Sequence, residues 1–208
     1  TVTIHRNGIE SFLMYVKEIV KHHKRPVLIG VVVVVLAAGL SVGGAVYYDV
    51  RSNADLVEYE TLMTEYESGS RDAAAFTTAV TKLIALTEKS CFGYVHKNGH
   101  YIAGGMYFER KMYEEAKANY LKFADKSSSS SFAPLALFQA GVCAENTGKD
   151  DEALSLYKRI EKSYKDGAFS DRLFYDLGRM YQKKGDKVTA KEYYGKVIAQ
   201  YPNSRPFA

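Results

Sequence analysis

The residues in this 208-residue chain that come nearest to a metal-binding pattern are His96 and His100. Residues four apart share one face of a helix, and two such histidines are half of a metal site. Here Asn98-Gly99 lies between them and argues against an unbroken helix, and no second pair of carboxylates accompanies them. His22-His23 adjoin Lys24 and suit a membrane interface better than a metal. Gly104-Gly105 lacks the spacing of a phosphate loop, and no Ser/His/Asp or Cys/His arrangement has supporting context. We therefore expect no catalytic residue, no bound metal and no cofactor, and a protein that is not an enzyme. Two cysteines, Cys91 and Cys143, are too few for a disulfide framework. They read as small core residues at helix interfaces, with pairing in an oxidising compartment as the alternative. The 17 tyrosines invite a nucleic-acid reading, but most fall at the repeat core positions described below.

The elements that carry these residues begin with an apolar run. Val27 to Tyr48, VLIGVVVVVLAAGLSVGGAVYY, passes 22 residues without a charge. A membrane helix needs about 20 such residues to cross roughly 30 Å of hydrocarbon. Lys17, Lys21, Lys24 and Arg25 precede the run, and Asp49, Arg51, Asp55, Glu58 and Glu60 follow it. Basic residues are retained on the cytoplasmic side, so the expected orientation is N-terminus inside and the large domain outside. Tyr47 and Tyr48 suit the outer interface. A cleaved signal peptide has a shorter apolar core of about 7–15 residues, and a lipoprotein needs a cysteine just after it, which is absent here. Gly39 and Gly43 form a GxxxG pair, which fits either close packing of a second membrane helix or simple tolerance of glycine. Ahead of the run, Phe12, Leu13, Val16, Ile19 and Val20 repeat at helical spacing. That segment reads as an interfacial helix on the cytoplasmic leaflet or as a contact for a partner inside.

Charge supports this division. Residues 49–208 carry 23 Lys+Arg against 22 Asp+Glu, while the first 48 residues carry five against two. The sequence pI near 8.8 therefore reflects basic residues beside an apolar run and not a nucleic-acid surface.

The C-terminal part repeats itself. With Asp171 as position 1, Phe174, Leu177, Gly178, Tyr181, Gly185, Ala190, Tyr194 and Pro202 fall on the positions of the tetratricopeptide pattern. Shifting back 37 residues brings Leu137, Ala140, Gly141, Ala144, Gly148, Ala153 and Tyr157 to the same places. A second shift of 37 brings His100, Ala103, Gly104, Tyr107, Ala116 and Tyr120, with Lys111 in place of the turn glycine. Small residues stand where antiparallel helices touch, Gly185 ends one helix, Asp186 caps the next and Pro202 stops it. The extra length falls in Ser127–Ser131, a flexible polar connector, and around Lys165–Gly167. Residues 50–90 read as two helices, one running through Tyr66 and one from Ala73 to Glu88, that form a degenerate terminal repeat.

The expected fold is thus all-α: a single transmembrane helix followed by a tetratricopeptide-like α-solenoid of antiparallel helix pairs. The expected divisions are a cytoplasmic amphipathic segment (1–26), the span (27–48), a capping helix pair (49–90) and three repeats (91–208). The first helix of each pair lines the concave face, which by repeat position carries Tyr101, Phe108, Phe138, Glu145, Asn146, Tyr175, Arg179 and Gln182. That face is aromatic at the front and charged at the rear, and suits an extended or helical peptide. The Lys/Asn set that clamps a C-terminal carboxylate is absent, and Asp176 would repel one.

The arrangement as a whole resembles a known family. PheLeuMetTyrValLysGluIleValLysHis leads into a span ending GlyGlyAlaValTyrTyr, followed by TyrGluThrLeuMet and a small repeat domain. This is similar to the single-pass ancillary subunit of the bacterial SecYEG translocon, whose soluble part faces the periplasm. The resemblance implies an inner-membrane adaptor of protein export that meets the translocon and periplasmic chaperones or clients. The last repeat lies closer to the general tetratricopeptide pattern than that family does. A structural scaffold of a large envelope assembly, such as a flagellar motor ring or collar, therefore stays as the alternative.

Overall fold

The computed structural model describes residues 8–69, 72–164 and 169–202. Among these residues there are nine helices and no strand: α1 (Gly8–His22), α2 (Lys24–Ser68), α3 (Ala73–Lys89), α4 (Gly93–Glu109), α5 (Tyr113–Lys126), α6 (Ala133–Asn146), α7 (Asp150–Ser163), α8 (Ser170–Lys183) and α9 (Lys187–Gln200). The connector expected around Lys165–Gly167 lies outside the described residues. Residues 1–51 make one unit and residues 52–208 another.

In the first unit, α1 has no buried residue. The most apolar 18-residue window of α2 has a mean hydropathy of 2.6, with none of it buried. By length and composition, α2 is the one helix among the described residues able to cross a membrane. Gly39 and Gly43 both face open space.

The second unit is built from three helix hairpins, α4–α5, α6–α7 and α8–α9, preceded by α3 and the last turns of α2. Each hairpin turns the same way. At the end of its first helix, a backbone N–H bonds back to the carbonyl five residues earlier: Met112 to Tyr107 (3.0 Å), Lys149 to Ala144 (2.8 Å) and Asp186 to Tyr181 (2.9 Å). A second bond spans three residues, from Lys111 to Phe108, Gly148 to Glu145 and Gly185 to Gln182. This helix-ending motif places one residue in the left-handed region. Gly148 and Gly185 occupy it with φ of 73° and 83°, and Lys111 occupies it with φ of 60°. Asp186 then caps α9 by accepting from Thr189 N.

Within each hairpin the two helices meet at a glycine facing a tyrosine. A Cβ on Gly104 would lie 2.8 Å from the Tyr120 ring, one on Gly141 2.4 Å from Tyr157, and one on Gly178 2.6 Å from Tyr194. The tyrosine ring occupies the volume that any side chain at the glycine would need, so the helices close to a fixed distance. Around these contacts Phe123, Leu137, Ile160, Leu177 and Met180 form one continuous apolar core. A second core joins Leu62 of α2 to Phe76, Val80, Leu83 and Leu86 of α3 and to Val95 and Met106 of α4.

Three expectations are corrected. Asn98-Gly99 does not interrupt α4. Gly99 lies where α3 and α4 come closest, and a Cβ there would stand 1.8 Å from Thr87 Oγ1. That contact outweighs the roughly 1 kcal/mol that glycine costs a helix. Cys91 is exposed, not a core residue, and the two thiols are unpaired; burial pushes the Cys143 thiol up to about 12. The Ser127–Ser131 connector is a pair of hydrogen-bonded turns, in which Ser130 N bonds to Ser127 O and Tyr164 Oη donates to Ser128 O.

Two stability changes follow from this geometry. Replacing Lys111 with glycine relieves a left-handed residue that costs an ordinary side chain about 1 kcal/mol. Urea unfolding followed by circular dichroism is expected to show a gain of that size. Replacing Gly141 with leucine drives a side chain into Tyr157, which has no exposed surface, and is expected to cost about 3 kcal/mol or more. Gly178→Leu is expected to cost less, because Tyr194 is only half-buried.

Candidate interaction surface

The eight residues expected on the concave face divide into those that build the fold and those that line open cavities. Tyr101 is half-buried among the rings of Tyr120, Phe123 and Phe132, with centroids 5.2–6.0 Å apart. Phe108 packs edge-on against Tyr113. Phe138, 9% exposed, lies between Tyr157 and Phe169. These three aromatic residues are engaged by neighbouring helices.

Glu145, Asn146 and Arg179 come together. With Val142, Tyr157, Arg172 and Asp176 they line an open cavity of about 260 Å³ between α6, α7 and α8. Arg179 straddles Glu145, with Nη1 and Nη2 each 2.8 Å from a carboxylate oxygen. Such two-pronged pairing fixes orientation as well as distance. Glu145 also accepts from Tyr157 Oη at 2.7 Å. Behind it Asp176, 2% exposed, accepts from Arg172 Nε at 2.6 Å and Arg179 Nε at 3.1 Å. Burial, and then the Glu145 carboxylate, raise the Tyr157 phenol well above its ordinary value. The hydrogen bond to Glu145 raises the Arg179 guanidinium. Two guanidiniums thus balance two carboxylates around a buried hydroxyl. The cluster holds fixed hydrogen-bonding groups at a partly exposed surface.

The repeat pattern marks Asp176 as a repulsive group, gives Tyr157 only a core position and does not single out Arg172. The signal was the i, i+4 spacing of Arg172 and Asp176 with Arg179 three residues further on, which sets all three on one helix face. Tyr175 and Gln182 lie elsewhere. Tyr175 packs on the Tyr194 ring, and Gln182 accepts from Tyr194 Oη at 2.8 Å. Gln182 lines a second cavity, of about 420 Å³, with Lys187, Ala190, Lys191, Tyr194, Gly195 and Ile198. The two histidines serve the α3–α5 packing. His96 Nδ1 lies 2.6 Å from Ser90 O. His100, 2% exposed, bonds through Nδ1 to Asn119 Oδ1, and burial lowers its pKa. Among the described residues, no three His, Cys, Asp or Glu side chains converge as a metal site would need.

Successive repeats are also tied by ion pairs, all but one of the same polarity. The earlier repeat supplies the acid and the later one the base in Glu114–Lys149 (2.8 Å), Asp125–Arg159 (2.6 Å), Glu145–Arg179 (2.8 Å), Asp150–Lys183 (2.6 Å) and Glu161–Lys196 (3.0 Å). Lys117–Glu152 runs the other way. Burial alone would lower the Lys117 ammonium, but Glu152 and Glu114 outweigh it and raise it. One period on from Glu145, Asp150, Asp151 (which pairs with Lys184) and Glu161 stand Gln182, Lys187, Val188 and Ile198. The last repeat therefore carries none of these acids, and Val188 and Ile198 are 73% and 74% exposed.

The sequence comparisons agree with this geometry. The tetratricopeptide repeat family pattern matches residues 135–167 and 172–204. The fold is a tetratricopeptide-like solenoid. A TPR repeat-containing protein of Treponema pallidum (strain Nichols) is 26% identical over 110 residues, which cover 53% of this chain and 46% of that one. The chain thus spans about half the length of the curated relative it matches. Among solved structures, a crystal structure of MamA superposes with a TM-score of 0.53 at 20% identity, over 74% of this chain and 85% of that one. MamA 41-end from Desulfovibrio magneticus RS-1 gives a TM-score of 0.49 at 15% identity, over 77% of this chain and 97% of that one. Solenoids of this kind present extended helical surfaces to other proteins.

One pH dependence follows from the ladder. Hydrogen bonds from Lys149, then Lys117, hold Glu114 at about 2, below its ordinary 4.5. A carboxylate with a depressed folded-state pKa contributes stability above its unfolded pKa and loses it as pH falls through the folded value. The stability gap between the wild type and Glu114→Gln, measured by urea unfolding, is therefore expected to stay constant above about pH 5 and to close toward pH 2.

Proposed function

We propose that this chain is a membrane-anchored tetratricopeptide adaptor of bacterial protein export. In this reading the apolar part of α2 crosses the inner membrane once, the N-terminus stays in the cytoplasm and the solenoid lies in the periplasm. There it engages translocon subunits and periplasmic chaperones or clients. The observation that carries the reading is one chain joining an uncharged, unburied run at 27–48, with basic residues before it, to a protein-binding type of solenoid. The cluster of Glu145, Asn146, Arg172 and Arg179 supplies polar groups for a peptide chain, and Gly39 and Gly43 supply a face for a neighbouring membrane helix. The work is binding rather than catalysis.

A second reading, a scaffold subunit of a large envelope assembly such as a flagellar motor ring or collar, is favoured by the exposed Val188 and Ile198 on the last repeat. Exposed aliphatic residues on a repeat edge suit lateral association.

Purification of the full-length protein from native membranes in mild detergent, followed by mass spectrometry, separates the two. Translocon subunits with periplasmic chaperones are the expected companions. Recovery of many copies of the chain itself, or of another envelope machine, would replace the adaptor with the scaffold. Alkaline phosphatase fused after the solenoid is expected to be active, since it works outside the cytoplasm. A fusion inactive there, alongside an active cytoplasmic reporter at the same position, would overturn the orientation.

A further inference from the structure

Helix α1 presents a complete apolar face that no part of the described chain covers. Ile9, Phe12, Leu13, Val16, Ile19 and Val20 are all at least 37% exposed. At 3.6 residues per turn they fall within an arc of about 120°. Lys17 and Lys21 stand at one edge of that arc, and Glu18 and His22, paired at 3.1 Å, lie on the opposite side. Only His23 separates α1 from α2, and the uncharged run begins at Val27. Five residues extend at most about 18 Å. If the run crosses a bilayer, the end of α1 is held at the level of the headgroups and has nowhere else to take its apolar face but lipid or a partner already there.

We propose that α1 lies in the membrane interface, with this apolar face among the upper acyl chains of an anionic leaflet. The proposal rests on the single span of the preceding subsection. The charge pattern selects lipid over a protein groove. Lys17, Lys21, Lys24 and Arg25 outnumber Glu10 and Glu18, and each basic residue near an anionic surface adds to binding. Lysines at the edge of an apolar arc bury their methylene stems and keep their ammonium groups among the phosphates. An amphipathic helix of this composition is the kind that lies in the interface plane. It would fix the depth and the tilt of the span's cytoplasmic end.

The chain contains no tryptophan, so a single substitution gives an unambiguous fluorescence probe. Phe12→Trp, Glu18→Trp and Leu40→Trp variants of the full chain would be reconstituted in vesicles of phosphatidylcholine and phosphatidylglycerol. Quenching by brominated phospholipid and by aqueous iodide would then be read for each. The expected result is several-fold stronger lipid quenching for Phe12→Trp than for Glu18→Trp, the reverse order with iodide, and a loss of that contrast when Lys17 and Lys21 are both replaced by glutamate. Equal iodide quenching of Phe12→Trp and Glu18→Trp would place α1 in water and overturn the proposal. Shielding of Phe12→Trp from both quenchers would place the face against protein and also overturn it. Leu40→Trp separates the two levels: lipid quenching there with none at Phe12→Trp rejects the interfacial helix alone, and its absence at Leu40→Trp rejects the span and the interfacial helix together.

Discussion

The contact on which the solenoid depends is a tyrosine ring packed against a glycine. Three times, at Gly104–Tyr120, Gly141–Tyr157 and Gly178–Tyr194, the missing side chain lets two antiparallel helices approach until the ring fills the gap. Close-packed interiors resist even small volume changes, so this single distance propagates. It sets where the second helix of each hairpin lies, hence which surface it offers to the next hairpin. A left-handed residue recurs at the turn of each hairpin, at Lys111, Gly148 and Gly185. Identical hairpins stacked in one direction then produce a regular array from interactions that reach only nearest neighbours.

That regularity explains the polarity of the charges. Exposed ion pairs are each worth little, about 0–1 kcal/mol, so the ladder adds register more than stability. Acids of one repeat meet bases of the next, with Lys117–Glu152 as the exception. The Glu145–Arg179–Asp176 cluster is where the ladder turns inward. Its carboxylates are more buried than the ladder's other acids, and each is matched by a guanidinium, because an unpaired charge there would carry a heavy desolvation cost. A surface whose guanidiniums are held in place by carboxylates yet stay partly exposed keeps N–H donors for another protein. The last repeat departs from this chemistry. At the ladder's acid positions it carries Gln182, Lys187, Val188 and Ile198.

The two units of the chain solve opposite solvation problems. The helices of the second unit bury a core of apolar groups against one another, as Leu83, Leu137, Tyr157 and Leu177 show at 0% exposure. In the first unit the apolar groups of α1 and of the run from Val27 remain uncovered. Leaving so much hydrocarbon in water is unfavourable by about 25 cal/mol for each Å². The proposed membrane placement removes that cost for both elements.

By itself the sequence determined the all-helical class, the helix hairpins of the C-terminal part and the residues at their crossing points. Period-37 recurrence of small and aromatic residues is a local signal that needs no knowledge of the third dimension. It also located the one uncharged run, since hydropathy is additive along the chain. Only the tertiary structure decided which residues of the concave face stayed available. Repeat position put Tyr101, Phe108 and Phe138 there, but whether a half-exposed ring is covered depends on Phe132, Tyr113 and Phe169, which come from neighbouring turns and helices. Tertiary packing likewise carried α4 through Asn98-Gly99, because the approach of Thr87 rewards the residue that weakens the isolated helix. It joined Arg172, Asp176 and Arg179 on α8 to Glu145 on α6, 34 residues away from Arg179. Local pattern fixes what each helix is, whereas the distance between helices, set by the side chains that meet across them, fixes what the surface can bind.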